Sequence, residues 1–319
     1  ALDLIAEGEG LIAGFSILTE KAPGHFDMIL SPDNPNYMSL PGISVLIGGL
    51  WVMNIGYWGF NQYIIQRALA AKDLKEAQKG IAFAAYLKLL MPIIVVLPGI
   101  AAVILYPELS APDQAYPSMM ALMPSGIKGL VFAALVAAIV SSLASMTNSI
   151  STIFTMDIYQ KIKPGKSQRH YVHIGRIAAL LALCVALVVA EPLLGKFDQA
   201  FQYIQEFTGF FTPGIVVIFV MGMFWQRTTS SGALAAAIGS AGFSLLLKLG
   251  WPALPFMERV GLVFLLCLGL CYLVSVMGNQ QQDDVSVSLD EISFATKSSF
   301  NIAAIGVILI LTALYATWW

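Results

Sequence analysis

Lys88 is an ionisable side chain inside an otherwise apolar block that runs approximately from Gly80 to Tyr106. It lies about eight residues into that block, roughly 12 Å along a helix axis at 1.5 Å per residue, near the middle of a bilayer. A charged lysine at that depth costs at least ~2.5 to 3.5 kcal/mol, which marks it as a candidate functional group. The plainer reading is a lysine that snorkels or pairs with an acid, and Glu206 is a possible partner. Asn54, Tyr57 and Trp58 form a second group, inside the run Asn54, Ile55, Gly56, Tyr57, Trp58, Gly59 at the centre of another apolar block. With Gly42, Gly48 and Gly49 before them and Asn61 and Gln62 after, they predict a discontinuous helix. Its unwound backbone would offer N–H and C=O groups at mid-membrane depth, which is tolerable only in protein or beside a wet cavity. An amide beside two aromatic rings suits a neutral polyhydroxyl ligand, whose hydroxyls need several hydrogen bonds and whose C–H faces pack on rings.

Ala138, Ser141 and Ser142 stand at i, i+3 and i+4 and share one helix face. Two hydroxyls and one backbone carbonyl, if the helix loosens locally, would give a small hard cation the oxygen ligands it prefers. Alone the triplet is a weak signal, because serines in membrane helices mostly bond their own preceding carbonyls or pack against neighbours. Ser145, Thr147, Asn148, Ser149, Ser151 and Thr152 make the following half of that helix unusually polar, as a face on an aqueous path would be. Gln205 is a candidate ligand hydrogen bond from a further helix, with a helix–helix amide contact as the equal alternative. Pro213, downstream of it, removes a backbone donor and predicts a kink. No nucleophile–base pair, phosphate loop or catalytic carboxylate pair emerges, so no enzyme is expected. Cys184, Cys267 and Cys271 lie in apolar blocks without a histidine at metal-ligand spacing and read as buried small hydrophobes. His25, His170 and His173 read as loop residues.

The elements that must position these groups follow from composition. Of 319 residues 58% are hydrophobic and 11% charged, whereas a soluble domain carries about a quarter charged residues. A soluble enzyme, a nucleic-acid binder and a disordered scaffold are all excluded, the second also by basic residues that are scattered and a net charge of −2. Eight apolar blocks long enough to span a bilayer run approximately Leu40 to Ile65, Gly80 to Tyr106, Ile127 to Ile153, Ile174 to Val189, Phe201 to Trp225, Gly232 to Leu249, Val260 to Met277 and Ile302 to Trp319. The stretch with Pro107, Pro112 and Pro117 and the polar run Gln280 to Asp284 read as loops, and residues 1–39 as an extramembrane segment. Arg67, Lys72, Lys75 and Lys79 after the first block, and Lys161, Lys163, Lys166, Arg169 and Arg176 after the third, place those connections on the cytoplasmic side. The N-terminal segment is then outside. Trp225, Trp318 and Trp319 read as interfacial anchors. The chain opens at Ala1 with no charged region ahead of a short apolar stretch, so no signal peptide is expected.

Three stretches carry a family resemblance. Gly48 to Gln66 reads GGLWVMNIGYWGFNQYIIQ and continues RALAAKDLKEAQKG; Gly129 to Gln160 reads GLVFAALVAAIVSSLASMTNSISTIFTMDIYQ; Gln199 to Gly209 reads QAFQYIQEFTG. The chain from about Pro23 onward resembles the sodium/solute symporter family, and within it the bacterial sodium/galactose (sodium/glucose) branch. The resemblance implies an all-α integral membrane protein of LeuT-type architecture, with two five-helix repeats of inverted topology. Residues 1–39 would be an extracytoplasmic loop segment, 40–226 the second repeat and 227–319 three peripheral C-terminal helices. The first repeat, which in the family supplies the other sodium carbonyls and part of the sugar site, would then be missing from these residues.

Carried over by position, the resemblance implies that Asn54, Lys88 and Gln205 hydrogen-bond a sugar and that Tyr57 closes the inner side of the site. Trp58 lies near that gate. The Ala138 carbonyl with the Ser141 and Ser142 hydroxyls would form this repeat's half of a sodium site. The expected function is symport of a galactose- or glucose-type sugar with sodium as the coupling ion, in a multi-pass inner or plasma membrane location. Two alternatives stay open: the same fold moving an amino acid, sialic acid, inositol or vitamin, and a non-transporting membrane fragment or assembly partner.

Overall fold

The computed structural model describes residues 1–38, 42–194, 200–278 and 292–319, and among these every regular element is helical. The α-helices are α1 (Leu2–Ile5), α2 (Leu11–Lys21), α3 (Ser44–Ile47), α4 (Gly49–Ile55), α5 (Gln62–Leu69), α6 (Leu74–Lys88), α7 (Leu97–Leu105), α8 (Ala115–Ala121), α9 (Ser125–Thr152), α10 (Gln160–Ile162), α11 (Gln168–Leu194), α12 (Ala200–Gly209), α13 (Thr212–Phe224), α14 (Ser230–Gly250), α15 (Phe256–Met277) and α16 (Ser298–Thr317). Wider π-helical turns occupy Gly56–Phe60, Pro92–Val96 and Ile153–Tyr159.

Among the described residues six helical segments are long and apolar enough to cross a membrane: Leu74–Leu105, Ser125–Ile162, Gln168–Pro192, Ser230–Gly250, Phe256–Met277 and Ser298–Thr317. The pair Tyr203–Gly209 and Thr212–Phe224, bent by 42°, makes a seventh if taken as one broken span. The first of the eight expected blocks is broken, as its glycines predict: among its described residues no single piece is long enough to span. Gly48 takes a non-helical conformation between α3 and α4, and Asn61 is extended after the π-turn. The same glycines and amides that predict a discontinuous helix thus remove it from the count of continuous ones. The run Gln280 to Asp284 lies outside the described residues.

The chain divides into two compact units that interleave along the sequence. The first comprises Ala1–Pro23, Gln62–Arg67 and Leu90–Ala200. In it α1 and α2 pack on α7, and α9 packs on α11. His170 and His173, expected in a loop, belong to α11. His170 Nε2 lies 3.0 Å from the Tyr159 hydroxyl, and the Tyr171 hydroxyl donates to the Lys163 carbonyl at 2.9 Å, pinning the turn into α11. Cys184, expected to be buried, is exposed on α11.

The second unit comprises Gly24–Asn61, Ala68–Leu89 and Phe201–Trp319. Its centre is α13, α14 and α15, which enclose Val217, Met221, Ala236, Val263, Cys267 and Cys271. Membrane helices approach through small residues, and they do so here. A Cβ on Gly214 of α13 would lie 2.6 Å from both the Ala236 carbonyl and Ser240 Cβ of α14, and Gly232 of α14 abuts Ser275 of α15. A Cβ on Gly49 would run into the Met257 carbonyl, so α4 can lie along α15 only as glycine. The last helix, α16, is tied to α6 by a hydrogen bond from the Tyr86 hydroxyl to the Ala303 carbonyl at 3.1 Å. Trp318 stacks on Phe26 with ring centroids 5.9 Å apart.

Candidate functional site

The second unit holds Asn54, Tyr57, Trp58, Lys88 and Gln205. The π-turn over Gly56–Phe60 is held by close packing: a Cβ on Gly56 would lie 2.6 Å from Thr212 Cγ2 on α13, and Phe60 stacks on Phe219 with centroids 4.6 Å apart. A π-turn inserts one residue into the helical repeat and so re-aims the side chains on it; such turns are frequent at functional sites. Tyr57 and Trp58 meet edge to face at 5.2 Å, both at the surface of the unit. The Lys88 ammonium stands 5.3 Å from the Trp58 ring centroid, a cation–π distance.

Lys88 itself ends α6. Pro92, four residues on, lacks the N–H that would bond the Lys88 carbonyl, and the helix widens there into its π-turn. The span is therefore irregular at its middle, where the lysine projects. Asn54 lies one turn before the aromatic pair and donates its amide N–H to the Leu50 carbonyl at 2.9 Å. Its side-chain oxygen is an acceptor beyond that bond. Lys88, Tyr57 and Trp58 are thus brought together, with Asn54 on the same broken helix. Gln205 is half-buried on α12 and is joined to none of them by a hydrogen bond among the described residues.

Glu206 is not the partner of Lys88. Its Oε1 accepts from Lys248 Nζ at 2.7 Å and from Arg259 at 2.8 Å. Both cations also face the Phe210 ring, each 5.7 Å from its centroid. Arg259 is only 8% exposed, and a buried guanidinium is tolerable because Glu206 supplies the opposite charge. Nothing in local sequence pairs these three residues, which come from α12, α14 and α15.

Ala138, Ser141 and Ser142 belong to the first unit, on α9. Three hydroxyls further along α9 bond back to carbonyls four residues earlier: Ser145 to Ser141, Thr147 to Leu143 and Thr152 to Asn148. Ser141 and Ser142 make no side-chain hydrogen bond among the described residues, so their oxygens are available to a ligand. The helix stays regular through Ala138 and loosens only at the π-turn over Ile153–Tyr159. A carbonyl engaged in a helix keeps a second lone pair, and this is what Ala138 can offer a cation here. Arg67, whose sequence role was to orient a loop, reaches α9 and donates to Ser145 Oγ at 2.6 Å. Beside it Asn148 donates to Gln66 at 3.4 Å. No group of three or more His, Cys, Asp or Glu side chains suited to a metal is found among the described residues.

Comparison with known proteins gives this arrangement a setting. The sequence model of the sodium:solute symporter family matches residues 5–240. A sodium/glucose cotransporter of Vibrio parahaemolyticus is 48% identical over 338 residues, covering 100% of this chain and 62% of that protein. The sodium/myo-inositol cotransporter 2 of Sus scrofa is 37% identical over 64% of this chain and 33% of its own length. A sodium/mannose cotransporter of Bos taurus is 35% identical over 65% of this chain and 38% of its own. The chain therefore spans about three fifths of the length of the first relative and about a third of the other two. The family match covers well over half of the chain: it belongs to the sodium:solute symporter family, multi-pass membrane proteins that are transporters and not enzymes.

Proposed function

We propose that the chain works in the symport of a sugar with sodium by alternating access. Asn54, Lys88 and Gln205 bind the sugar, Tyr57 and Trp58 form its inner gate, and the Ala138 carbonyl with the Ser141 and Ser142 hydroxyls holds the sodium ion. The observation that supports this most is the Lys88 ammonium over the Trp58 indole. A mid-span lysine costs ~2.5 to 3.5 kcal/mol, and a cation–π contact returns about 0.5 to 2 kcal/mol of that, leaving N–H donors beside two aromatic faces. That is the chemistry a polyhydroxyl ring needs.

In architecture, residues 40–226 form the second of two inverted five-helix repeats of a LeuT-type transporter, residues 227–319 are peripheral helices and residues 1–39 are extracytoplasmic. Bound sodium favours the outward-open state because it has higher affinity for that state, and its release inside loosens the Tyr57 gate. Each step is a population shift. The test is sodium-gradient-driven uptake of labelled galactose and glucose into vesicles holding the protein expressed from its complete reading frame. Loss of a charge-assisted hydrogen bond is worth about 1.5 to 3 kcal/mol, so Lys88→Ala should raise the sugar half-saturation roughly 10- to 100-fold at 1.4 kcal/mol per decade. Normal uptake by that variant would sink the sugar-site assignment.

The inositol and mannose cotransporters among the relatives favour a second reading, in which the solute is another polyhydroxylated ring. Competition of labelled sugar uptake by inositol, mannose, galactose and glucose separates the two.

A further inference from the structure

The bend between α12 and α13 has a definite chemical cause. In an unbroken helix the Gly214 N–H would donate to the Phe210 carbonyl, four residues earlier. Here it donates to Ser240 Oγ of α14 at 3.0 Å, and the same hydroxyl donates to the Phe210 carbonyl at 2.7 Å. One hydroxyl, which can donate and accept at once, thus replaces a backbone rung. Insertion of a side chain into the i to i−4 ladder kinks a helix, and Pro213 removes the adjacent rung. Ser240 is fully buried, and only glycine at 214 leaves room for it.

The short arm before the bend is held at a second point. Glu206 of α12 is clamped by Lys248 of α14 and Arg259 of α15, and both cations face the Phe210 ring. Helix α14 therefore grips this broken span twice, through Ser240 and through Lys248, eight residues or about two turns apart. Gln205 adjoins Glu206, so its placement follows the tilt of α12.

We propose that Ser240 is a positioning residue for the substrate site: by standing in for the Gly214-to-Phe210 rung it holds the α12–α13 bend at the angle that presents Gln205 to the sugar. This rests on the reading of Gln205 as a sugar ligand, and assigns a role in substrate affinity to a helix outside the proposed repeat. Displacement of a ligating group by about an ångström costs up to a hundredfold; for the loss of one hydroxyl bridge we expect roughly a tenfold rise in sugar half-saturation for Ser240→Ala. The sodium half-saturation measured at saturating sugar should stay within about twofold, as should the maximal rate per molecule in the membrane.

The experiment is a double-mutant cycle in sodium-driven uptake by the protein expressed from its complete reading frame. The set is Ser240→Ala, Gln205→Ala and both together. If Ser240 acts through Gln205, the double variant is no weaker for sugar than Gln205→Ala alone. Multiplicative losses, or a Ser240→Ala loss of maximal rate with unchanged sugar half-saturation, would overturn the role of Ser240 and leave that of Gln205 standing. A Gln205→Ala variant with native sugar half-saturation would instead remove the substrate reading beneath it. Ser240→Cys, nearly isosteric and a poor hydrogen-bonding group, carries the same test should the alanine variant fail to reach the membrane.

Discussion

Helices α9 and α15 are both long enough to cross a bilayer, yet they are built in opposite ways. In the apolar window of the segment containing α9 no residue is buried, whereas 28% of the window in α15 is. Helix α15 uses backbone and small residues for close approach: the Met257 carbonyl and Gly261 against α4, and the Cys271 carbonyl and Ser275 against Gly232 of α14. Helix α9 exposes Leu130, Phe132, Ile139 and Val140 and turns several of its hydroxyls onto its own backbone. The difference separates two uses of small polar residues in a membrane. On α15 they let helices touch; on α9, Ser141 and Ser142 make no side-chain hydrogen bond among the described residues, which is what the proposed sodium site requires.

The strongest challenge to that contrast is to add bulk to each helix system in turn. Gly49→Leu forces a side chain into the Met257 backbone. Overpacking costs about 1 to 3 kcal/mol even where side chains can yield; against backbone it should leave little folded protein in the membrane, measured as monodisperse protein after extraction. A variant folded to native yield would mean that the α4–α15 contact is not what holds this region.

A smaller effect is expected from the polar side of the comparison. Ser142→Ala removes one neutral oxygen, worth about 1 kcal/mol, and should raise the sodium half-saturation roughly fivefold with folded yield unchanged. Reduced yield with native sodium dependence would make Ser142 a packing residue like those of α15. The smallest effect belongs to Gly129→Ala on α9, where an added Cβ meets nothing within 4 Å. Helix propensity alone should then stabilise by about 0.5 to 1 kcal/mol, seen as a slightly raised midpoint of thermal unfolding. A lowered midpoint would show that this face is packed in the membrane.

What was legible in the sequence divides along the same line. Hydropathy located the spans because every bilayer-facing helix must be apolar, and Lys88 stood out because its surroundings are. The break around Asn54 to Asn61 was visible in its glycines and amides. The π-turn at Gly56–Phe60 is not visible there, and Thr212, which packs against it at Gly56, comes from 156 residues away. Pro213 signals a kink, but the hydroxyl that bridges the adjacent rung, Gly214 to Phe210, comes from Ser240 on another helix. The possible pairing of Lys88 with Glu206 shows the same limit. Glu206 is paired with two cations brought in by α14 and α15, and composition alone cannot tell which of several basic residues tertiary packing will deliver. Arg67 likewise carries only an orientation signal in the sequence, whereas in the fold its guanidinium donates to Ser145 on the polar stripe of α9.

The central claim is that sugar and sodium are bound by groups in separate parts of this chain. The most direct test compares half-saturation constants for Asn54→Ala and Ser142→Ala in sodium-driven sugar uptake, each measured with the other substrate saturating. The account predicts that Asn54→Ala raises the sugar constant and leaves that for sodium within about twofold, and that Ser142→Ala does the reverse. Both variants shifting the same constant, or neither shifting any, would contradict it.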